Sequence, residues 1–330
     1  MAAQWSIERL RNDSSHERAA IVLTAAELDL FRWFGKRKLA ADAVAAHYGG
    51  DRESWESFLN ALSALGLLRR RGARYARTAF AARRLTGDGR ALLLPAYDAW
   101  QAWGRLAAVL TTAKRPPAQK PFATDRAQAA RLLRALHIHA RQIAPHLMGK
   151  LPLRGARTLL DVGGGLGAFS CALCRRYPRL RATLVEHPKI APLARRGVRD
   201  AGLTKRIRVV ARDFTRDSLP LGFDAVLLSN VLHGHGGRQN LALLRKVHHS
   251  LNSGGRLMVR DVFMRRRRSA PEWGALFSVA LLLQTPQGRC YSLDEIRAWL
   301  RRANFSIIRG PLRSSPLRFD PDGLLIAGKA

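Results

Sequence analysis

The chain has 330 residues, with 57 Lys and Arg against 24 Asp and Glu for a net charge of +33, 47% hydrophobic residues and three cysteines. That length and apolar content support a buried core and two domains, and they exclude a disordered basic tail; three cysteines form no disulfide framework and fit a reducing cytoplasm. The charge is spread over the chain, 25 basic and 12 acidic residues in 1–150 against 32 and 12 in 151–330, and only nine of the basic residues are Lys. This is the pattern of an Arg-rich coding bias rather than of one polyanion-binding segment.

In chain order, the first twenty residues hold Glu8, Asp13 and Glu17 and no apolar stretch, so neither an acid-poor transit peptide nor a secretory signal is expected. Residues 17–85 read as short helices followed by a basic hairpin. Stretches 39–48 and 52–67 have helical spacing, with Trp55, Phe58, Leu59, Leu62 and Leu65 along the second. Residues 67–68 and 75–78 flank a polar turn and read as two short strands. Three helices and such a wing predict a winged-helix domain over residues 1–95. Residues 96–150 read as a helical connector, broken at Arg115-Pro116-Pro117 and around Pro121, with His137, His139, Gln142 and His146 on one long helix. From residue 156 strands and helices alternate, with strands at 158–162, 182–185, 207–211, 225–229 and 256–262, as in a parallel sheet covered on both faces. Strands at 306–309 and 323–327, separated by Pro311, Pro316 and Pro321, predict a closing antiparallel hairpin. The fold class is therefore α/β: a Rossmann-like, mostly parallel sheet over residues 151–330 plus an N-terminal all-α winged-helix domain. The longest apolar runs fall short of the ~20 residues of a membrane span. A soluble, cytoplasmic protein is expected.

The run Leu159-Leu160-Asp161-Val162-Gly163-Gly164-Gly165-Leu166-Gly167 follows a predicted strand and opens a helix. Glycines let the chain turn tightly and approach a ligand without an intervening Cβ, and the helix N-terminus offers free amides. Gly163-x-Gly165-x-x-Ala168 also fits a dinucleotide fingerprint. Its neighbours argue otherwise. Asp161, directly before the glycines, would crowd a pyrophosphate but accepts bonds from an ammonium or a ligand-held water. Glu186 ends the second strand and suits a ribose diol, both hydroxyls of which one carboxylate accepts. Asp213, after the third strand, suits an adenine amino group, with Phe214 against the ring. Acids at these three places describe an amino-acid nucleoside, S-adenosylmethionine, as the cofactor.

Asp161-Val162-Gly163-Gly164-Gly165-x-Gly167, Glu186-His187-Pro188, Asp213-Phe214 and Asn230-Val231-Leu232-His233 together resemble the class I S-adenosylmethionine-dependent O-methyltransferases. Within that class the chain is similar to the branch of caffeic acid, hydroxyindole, phenazine and anthracycline O-methyltransferases. The resemblance covers nearly the whole chain, because that branch also carries an N-terminal winged-helix dimerisation domain and a helical connector in the substrate pocket. It implies a homodimer that methylates a hydroxyl of a small aromatic or polyketide-like metabolite. It also implies that Asp161, Gly163, Gly165, Glu186, Asp213, Phe214 and Ser229 hold the cofactor, and that His233 is the general base. The chemistry asks for such a base: a phenol of pKa ~10 is a weak nucleophile at neutral pH, and an imidazole of pKa ~6.5 is largely free to take its proton.

Two features depart from that branch. Its His-Asp-Trp reads His233-Gly234-His235 here. Of two carboxylates that orient or flank the base, one aligns with Asp261 and the other falls near Cys290, which is no carboxylate. Slower transfer, C-methylation, or cofactor binding without methyl transfer therefore stay open beside O-methylation.

Trp103, His137, His139, Gln142, Phe277 and Cys290 are candidates for the substrate-pocket wall. No metal site is expected, because His233 and His235 alternate in a glycine-rich loop without Cys or carboxylate partners at ligand spacing. Cys171 and Cys174 fall inside a helix and read as small buried hydrophobes. The arginines at 265–268 read as a solvated loop or as a contact for an anionic substrate. The rival class is nucleic-acid binding, as an RNA methyltransferase or a regulator, with Arg69, Arg70, Arg71, Arg74, Arg77, Arg83 and Arg84 on a phosphate backbone. Against it, no Asn-Pro-Pro-Tyr-like motif follows the fourth strand and no paired catalytic cysteines are present, so a nucleic-acid partner is not expected.

Overall fold

The computed structural model describes residues 15–115, 126–314, 316 and 322–329. Pro116, Pro117 and Pro121, expected to break the connector, lie outside the described residues. The chain divides into two compact units, Met1–Gln101 and Ala102–Ala330. Most of the segment set apart as a connector thus belongs to the C-terminal unit.

The first unit contains α1 (Ser15–Glu27), α2 (Leu30–Phe34), α3 (Ala41–Tyr48), α4 (Arg52–Ala64) and α5 (Ala79–Arg84), and α6 (Gly87–Trp103) begins in it. Helix α4 starts at residue 52 because the Asp51 side chain accepts from the Ser54 amide at 2.8 Å, an N-cap. Its inward face places Leu59 and Leu62 in one core with Leu30, Phe31, Phe34, Val44 and Tyr75. Strands β2 (Leu68–Arg71) and β3 (Arg74–Arg77) form the expected hairpin. A strand of two residues, β1 (Leu39–Ala40), pairs antiparallel with β3. The helical unit therefore carries a three-stranded sheet where two strands were expected.

In the second unit α7 (Leu106–Thr112) and α8 (Arg126–Met148) precede the sheet, which is built from β4 (Thr158–Val162), β5 (Arg181–Glu186), β6 (Ile207–Ala211), β7 (Phe223–Ser229), β8 (Leu251–Asp261), β11 (Ser306–Arg313) and β12 (Gly323–Gly328). The order is β11-β12-β8-β7-β4-β5-β6, with β8 through β6 mutually parallel and β12 and β11 antiparallel at one edge. A short parallel pair, β9 (Phe263–Met264) with β10 (Tyr291–Ser292), stands apart from it. The connecting helices are α9 (Ala168–Arg176), α10 (Ala191–Asp200), α11 (Gly237–Ser250), α12 (Glu272–Gln284) and α13 (Leu293–Arg302).

The strand period of two sends neighbouring residues to opposite faces. Leu160, Val162, Val226, Leu228 and Val259 pack with Leu244 and Val247 of α11 and Leu300 of α13. Leu159, Leu227 and Met258 pack on the other side with Ile143 and Leu147 of α8, Leu173 of α9 and Val198 of α10. Both faces are covered, which is why these strands read as apolar runs rather than as alternating ones. Cys171 and Cys174 are free thiols buried in the second cluster, where burial pushes Cys171 up to about 11, and they act as small hydrophobes. Among the described residues no helix is long and apolar enough to cross a membrane.

Candidate functional site

The strand order reverses between β4 and β7, with β5 and β6 on one side and β8 on the other. Ligands of open α/β sheets bind at this switch point, beyond the carboxyl ends of the strands. Gly163, the first residue after β4, has φ +69°, and a Cβ there would stand 3.1 Å from Val231 and 3.4 Å from the Phe214 ring. The loops after β4, β6 and β7 therefore meet at this glycine. At Gly164 a Cβ would stand 2.7 Å from the Asp161 carboxyl carbon. Glycine is needed there because the buried acid already occupies that space.

Asp161 is 1% exposed; its Oδ2 accepts from Ser170 Oγ at 2.6 Å, and its Oδ1 is buried without a partner. Burial pushes its carboxyl up to about 6, against the Ser170 hydrogen bonds. Glu186, the last residue of β5, accepts from the Gly165 amide at Oε2 and from the His187 amide at Oε1, both at 2.8 Å. Burial pushes it up to about 7 against those two bonds, and the Asp161 charge adds to the rise. Asp213 accepts from the Thr215 amide at 3.0 Å and the Thr215 hydroxyl at 2.6 Å. Burial alone would raise its pKa; the Thr215 bonds, with His187 and Arg216, hold it below the ordinary carboxylate range. An unpartnered buried acceptor, a glycine position with no room for a Cβ, and three acids at successive strand ends fit an amino-acid nucleoside.

On the other side of the switch point, a turn of 3-10 helix, Leu232–Gly234, follows β7. His233 Nδ1 lies 2.7 Å from Asp261 Oδ1, the last residue of β8. Asp261 is nearly buried, its Oδ2 accepting from the amides of Leu232 at 3.1 Å and His233 at 3.3 Å, and its Oδ1 also from Val262 at 2.8 Å. A carboxylate only accepts, so Nδ1 carries a ring proton, and in the neutral imidazole Nε2 keeps its lone pair. Burial pulls the His233 pKa down, but the Asp261 charge and hydrogen bond, with Asp322 adding, leave it raised. The imidazole side chain is 15% exposed. Phe277 of α12 meets it edge-on at 5.1 Å between ring centroids, and Trp273 packs on Phe277 at 4.8 Å. His235 contacts Phe214 edge-on at 5.6 Å, and burial, reinforced by His233, drives its pKa down to about 4. It stays neutral at physiological pH.

The structure brings His233, Asp261 and Phe277 together, and it brings Phe214, Glu186 and Asp161 to the glycine loop. Ser229 Oγ accepts from Arg260 at 3.3 Å. Cys290 is 1% exposed in a cluster with Val262, Met264 and Leu281, with Phe277 packed against it; burial pushes its thiol up to about 11, so it is a neutral core group behind Phe277. Trp103 ends α6 at 37% exposure. His137, His139 and Gln142 lie on α8, the histidines half-buried and Gln142 exposed. The arginines at 265–268 are exposed, and Arg268 bonds Glu295 at 3.0 Å. Among the described residues no group of three or more His, Cys, Asp or Glu is placed to hold a metal.

Several supporting residues carry no motif. The fully buried Asn240 donates through Nδ2 to the carbonyls of Leu232 at 2.9 Å and His235 at 3.3 Å, fixing the turn that bears His233. Its sequence signal is a polar residue in the apolar 240/244/247 stripe of α11. Arg260, beside Asp261, is 1% exposed and lies 2.8 Å from Asp322. Lys246 donates to three carbonyls of the loop after β6. Nothing local in the sequence marks the last two.

Residues 116–306 match the family model of the O-methyltransferase domain. The chain is 35% identical to 3-hydroxy-5-methyl-1-naphthoate 3-O-methyltransferase of Streptomyces sahachiroi, over 89% of this chain and 88% of that protein. It is 31% identical to the tetracenomycin polyketide synthesis 8-O-methyl transferase of Streptomyces glaucescens, over 89% of this chain and 90% of the relative. Among solved structures, human N-acetylserotonin methyltransferase in complex with S-adenosylmethionine superposes with a TM-score of 0.81 at 21% identity, covering 100% of both chains.

Proposed function

Because the chain belongs to the O-methyltransferase domain family, and is an S-adenosylmethionine-dependent O-methyltransferase, we propose that His233, oriented by Asp261, is the base that frees an acceptor hydroxyl for methylation. The acceptor class is a small hydroxylated aromatic or polyketide metabolite, the kind of molecule named for the two Streptomyces relatives. The observation that carries the base assignment is the 2.7 Å contact of His233 Nδ1 with Asp261 at the carboxyl edge of the sheet, one loop from the glycine turn.

When bound, S-adenosylmethionine supplies an electrophilic methyl on a sulfonium and leaves as S-adenosylhomocysteine. Glu186 would accept the ribose hydroxyls, Asp213 the adenine amino group, and Asp161 the ammonium end or a water on it. His233 Nε2 takes the acceptor proton as the oxygen–carbon bond forms. The imidazolium so produced is paired with Asp261 through Nδ1, which favours the proton-transfer step. Phe277, backed by Trp273 and the Cys290 cluster, forms an apolar wall beside the imidazole and suits an aromatic acceptor ring. We further propose that the N-terminal unit pairs two copies of the chain in the cytoplasm. The family resemblance supports that pairing, and light scattering at twice 36.7 kDa would bear it out.

The test of the base is His233→Ala. Turnover falls on the order of 10²–10⁴-fold, the usual worth of general-base assistance, while S-adenosylhomocysteine still binds. Unchanged turnover with intact binding removes His233 from the role.

A further inference from the structure

The turn after β6 is held by one ammonium group. Lys246 Nζ, from the middle of α11, donates to the carbonyls of Phe214 at 3.2 Å, Thr215 at 3.1 Å and Asp217 at 2.8 Å. An ammonium has three donors, and here each meets a carbonyl of the same turn. Backbone carbonyls in a loop that makes no strand ladder must find partners elsewhere. The turn closes on itself as well: Asp213 N–H donates to Asp217 Oδ2 at 2.9 Å, and the amides of Arg216 and Asp217 donate to the Asp213 carbonyl at 2.9 and 2.7 Å. Its front is Asp213 and the Phe214 ring, which touches the glycine loop at Gly163. Its back is anchored to α11, which the buried Asn240 ties to the His233 turn.

We propose that Lys246 is a positioning residue for the adenine end of the cofactor, setting Asp213 and Phe214 in the conformation that reads the adenine amino group. Resting on the cofactor reading above, it names a device that acts through the turn without touching ligand or reacting atoms. Charge-assisted bonds to three carbonyls of one turn restrict it more than any single neutral bond would. Without them the turn has to be ordered by the nucleoside itself, and the cost falls on binding rather than on methyl transfer.

The experiment compares S-adenosylhomocysteine with S-inosylhomocysteine, whose six-position oxygen replaces the amino donor, by calorimetric binding to wild type, Lys246→Gln and Lys246→Met. Gln keeps two donors and Met keeps none. The expected result is that wild type prefers the adenosyl ligand, and that affinity for it falls on the order of tenfold in Lys246→Met, with Lys246→Gln in between. Affinity for the inosyl ligand changes less, so the preference narrows in the same order. In turnover, the KM for S-adenosylmethionine rises while kcat at saturation and the acceptor KM stay at wild-type values. If wild type shows no preference, the assignment of Asp213 to the amino group fails, and the proposal with it. A wild-type preference that Lys246→Met retains with unchanged affinity overturns the positioning role alone. A fall in kcat at unchanged cofactor KM also overturns it. Should Lys246→Met fail to fold, Lys246→Gln decides: unchanged preference and affinity in that variant overturn the proposal.

Discussion

Replacing Asp261 by Asn tests how the base is held, because the carboxylate serves four donors at once. Oδ2 takes the amides of Leu232 and His233, and Oδ1 takes the Val262 amide and His233 Nδ1. Asn offers one oxygen and one NH2. With its oxygen on Leu232 and His233, the NH2 faces Nδ1, the ring proton moves to Nε2, and the nitrogen that must accept the hydroxyl proton no longer can. With the amide flipped, the NH2 confronts the amides of Leu232 and His233 and the turn is displaced. Either orientation removes most of the general-base contribution, so kcat falls on the order of 10²–10³-fold, which at about 1.4 kcal/mol per tenfold is roughly 3–4 kcal/mol. The pH dependence shifts as well. In wild type the carboxylate raises the His233 pKa against burial, and the rate falls as pH drops through that raised value; in the variant the largest raising influence is gone, burial is opposed only by the more distant Asp322, and the midpoint moves to lower pH. The stability sign follows from the same shift. A histidine raised in the folded state adds stability below its unfolded pKa and loses it as pH rises through the folded value, so the variant's melting deficit is largest in acid. The assay is S-adenosylhomocysteine release at saturating cofactor and acceptor across the acid-to-neutral range. A kcat within about threefold of wild type with an unmoved midpoint refutes the orienting role.

Glu186, pushed up to about 7 by burial, must ionise to accept a ribose diol. Cofactor affinity therefore rises with pH to a plateau above about 7, by up to tenfold per unit below it; titration calorimetry in buffers of different ionisation heat should show proton release near pH 6, and an affinity flat from about pH 6 to about pH 8 would sink this. The same raised acid costs the ligand-free protein stability as pH climbs from its ordinary 4.5 through about 7, because the folded state holds the proton longer. Arg260→Ala strips a guanidinium from Asp322, which is only 4% exposed. Denaturant unfolding should show a loss of about 3–5 kcal/mol, whereas Arg260→Met with Asp322→Leu stays within about 1–2 kcal/mol of wild type. A single variant as stable as wild type would show that the pair is solvated.

The parts of the sheet legible in sequence were those whose cause is local. Strand β4 spans 158–162 as expected, because it is an apolar run covered on both faces, and β6 spans 207–211 as expected from its β-branched residues, although it is a half-exposed edge strand carrying Arg208. Strands β1 and β9 were not legible. Each has two residues and exists only because a distant partner, Tyr75 with Arg74 or Tyr291 with Ser292, lies alongside. The site divides in the same way. Acids and a histidine at strand ends announce themselves by position, since the carboxyl edge of a parallel sheet is where ligands bind. The groups that hold them in place announce nothing: Lys246 is one of nine lysines, and Arg260 one of many arginines, until the fold sets them against three carbonyls and a buried carboxylate.

In the branch the chain resembles, a second acid beside the base falls near Cys290, and the charge changes of the proposed reaction bear on that difference. With His233 as the proposed base, the positive charge that S-adenosylmethionine would bring is replaced after transfer by one on His233, so a site of this kind would favour one cation at a time. Among the described residues Asp261 is the carboxylate against that ring, its Oδ1 lying 2.7 Å from His233 Nδ1. A second buried carboxylate would carry its own desolvation cost, and Cys290, pushed up to about 11, carries no charge at working pH. His235 matters more. Standing where the branch it resembles has Trp, it touches Phe214; protonated, it would place a second cation beside His233. Burial and His233 hold it down to about 4, so it stays an uncharged ring against Phe214 and adds no second cation beside His233.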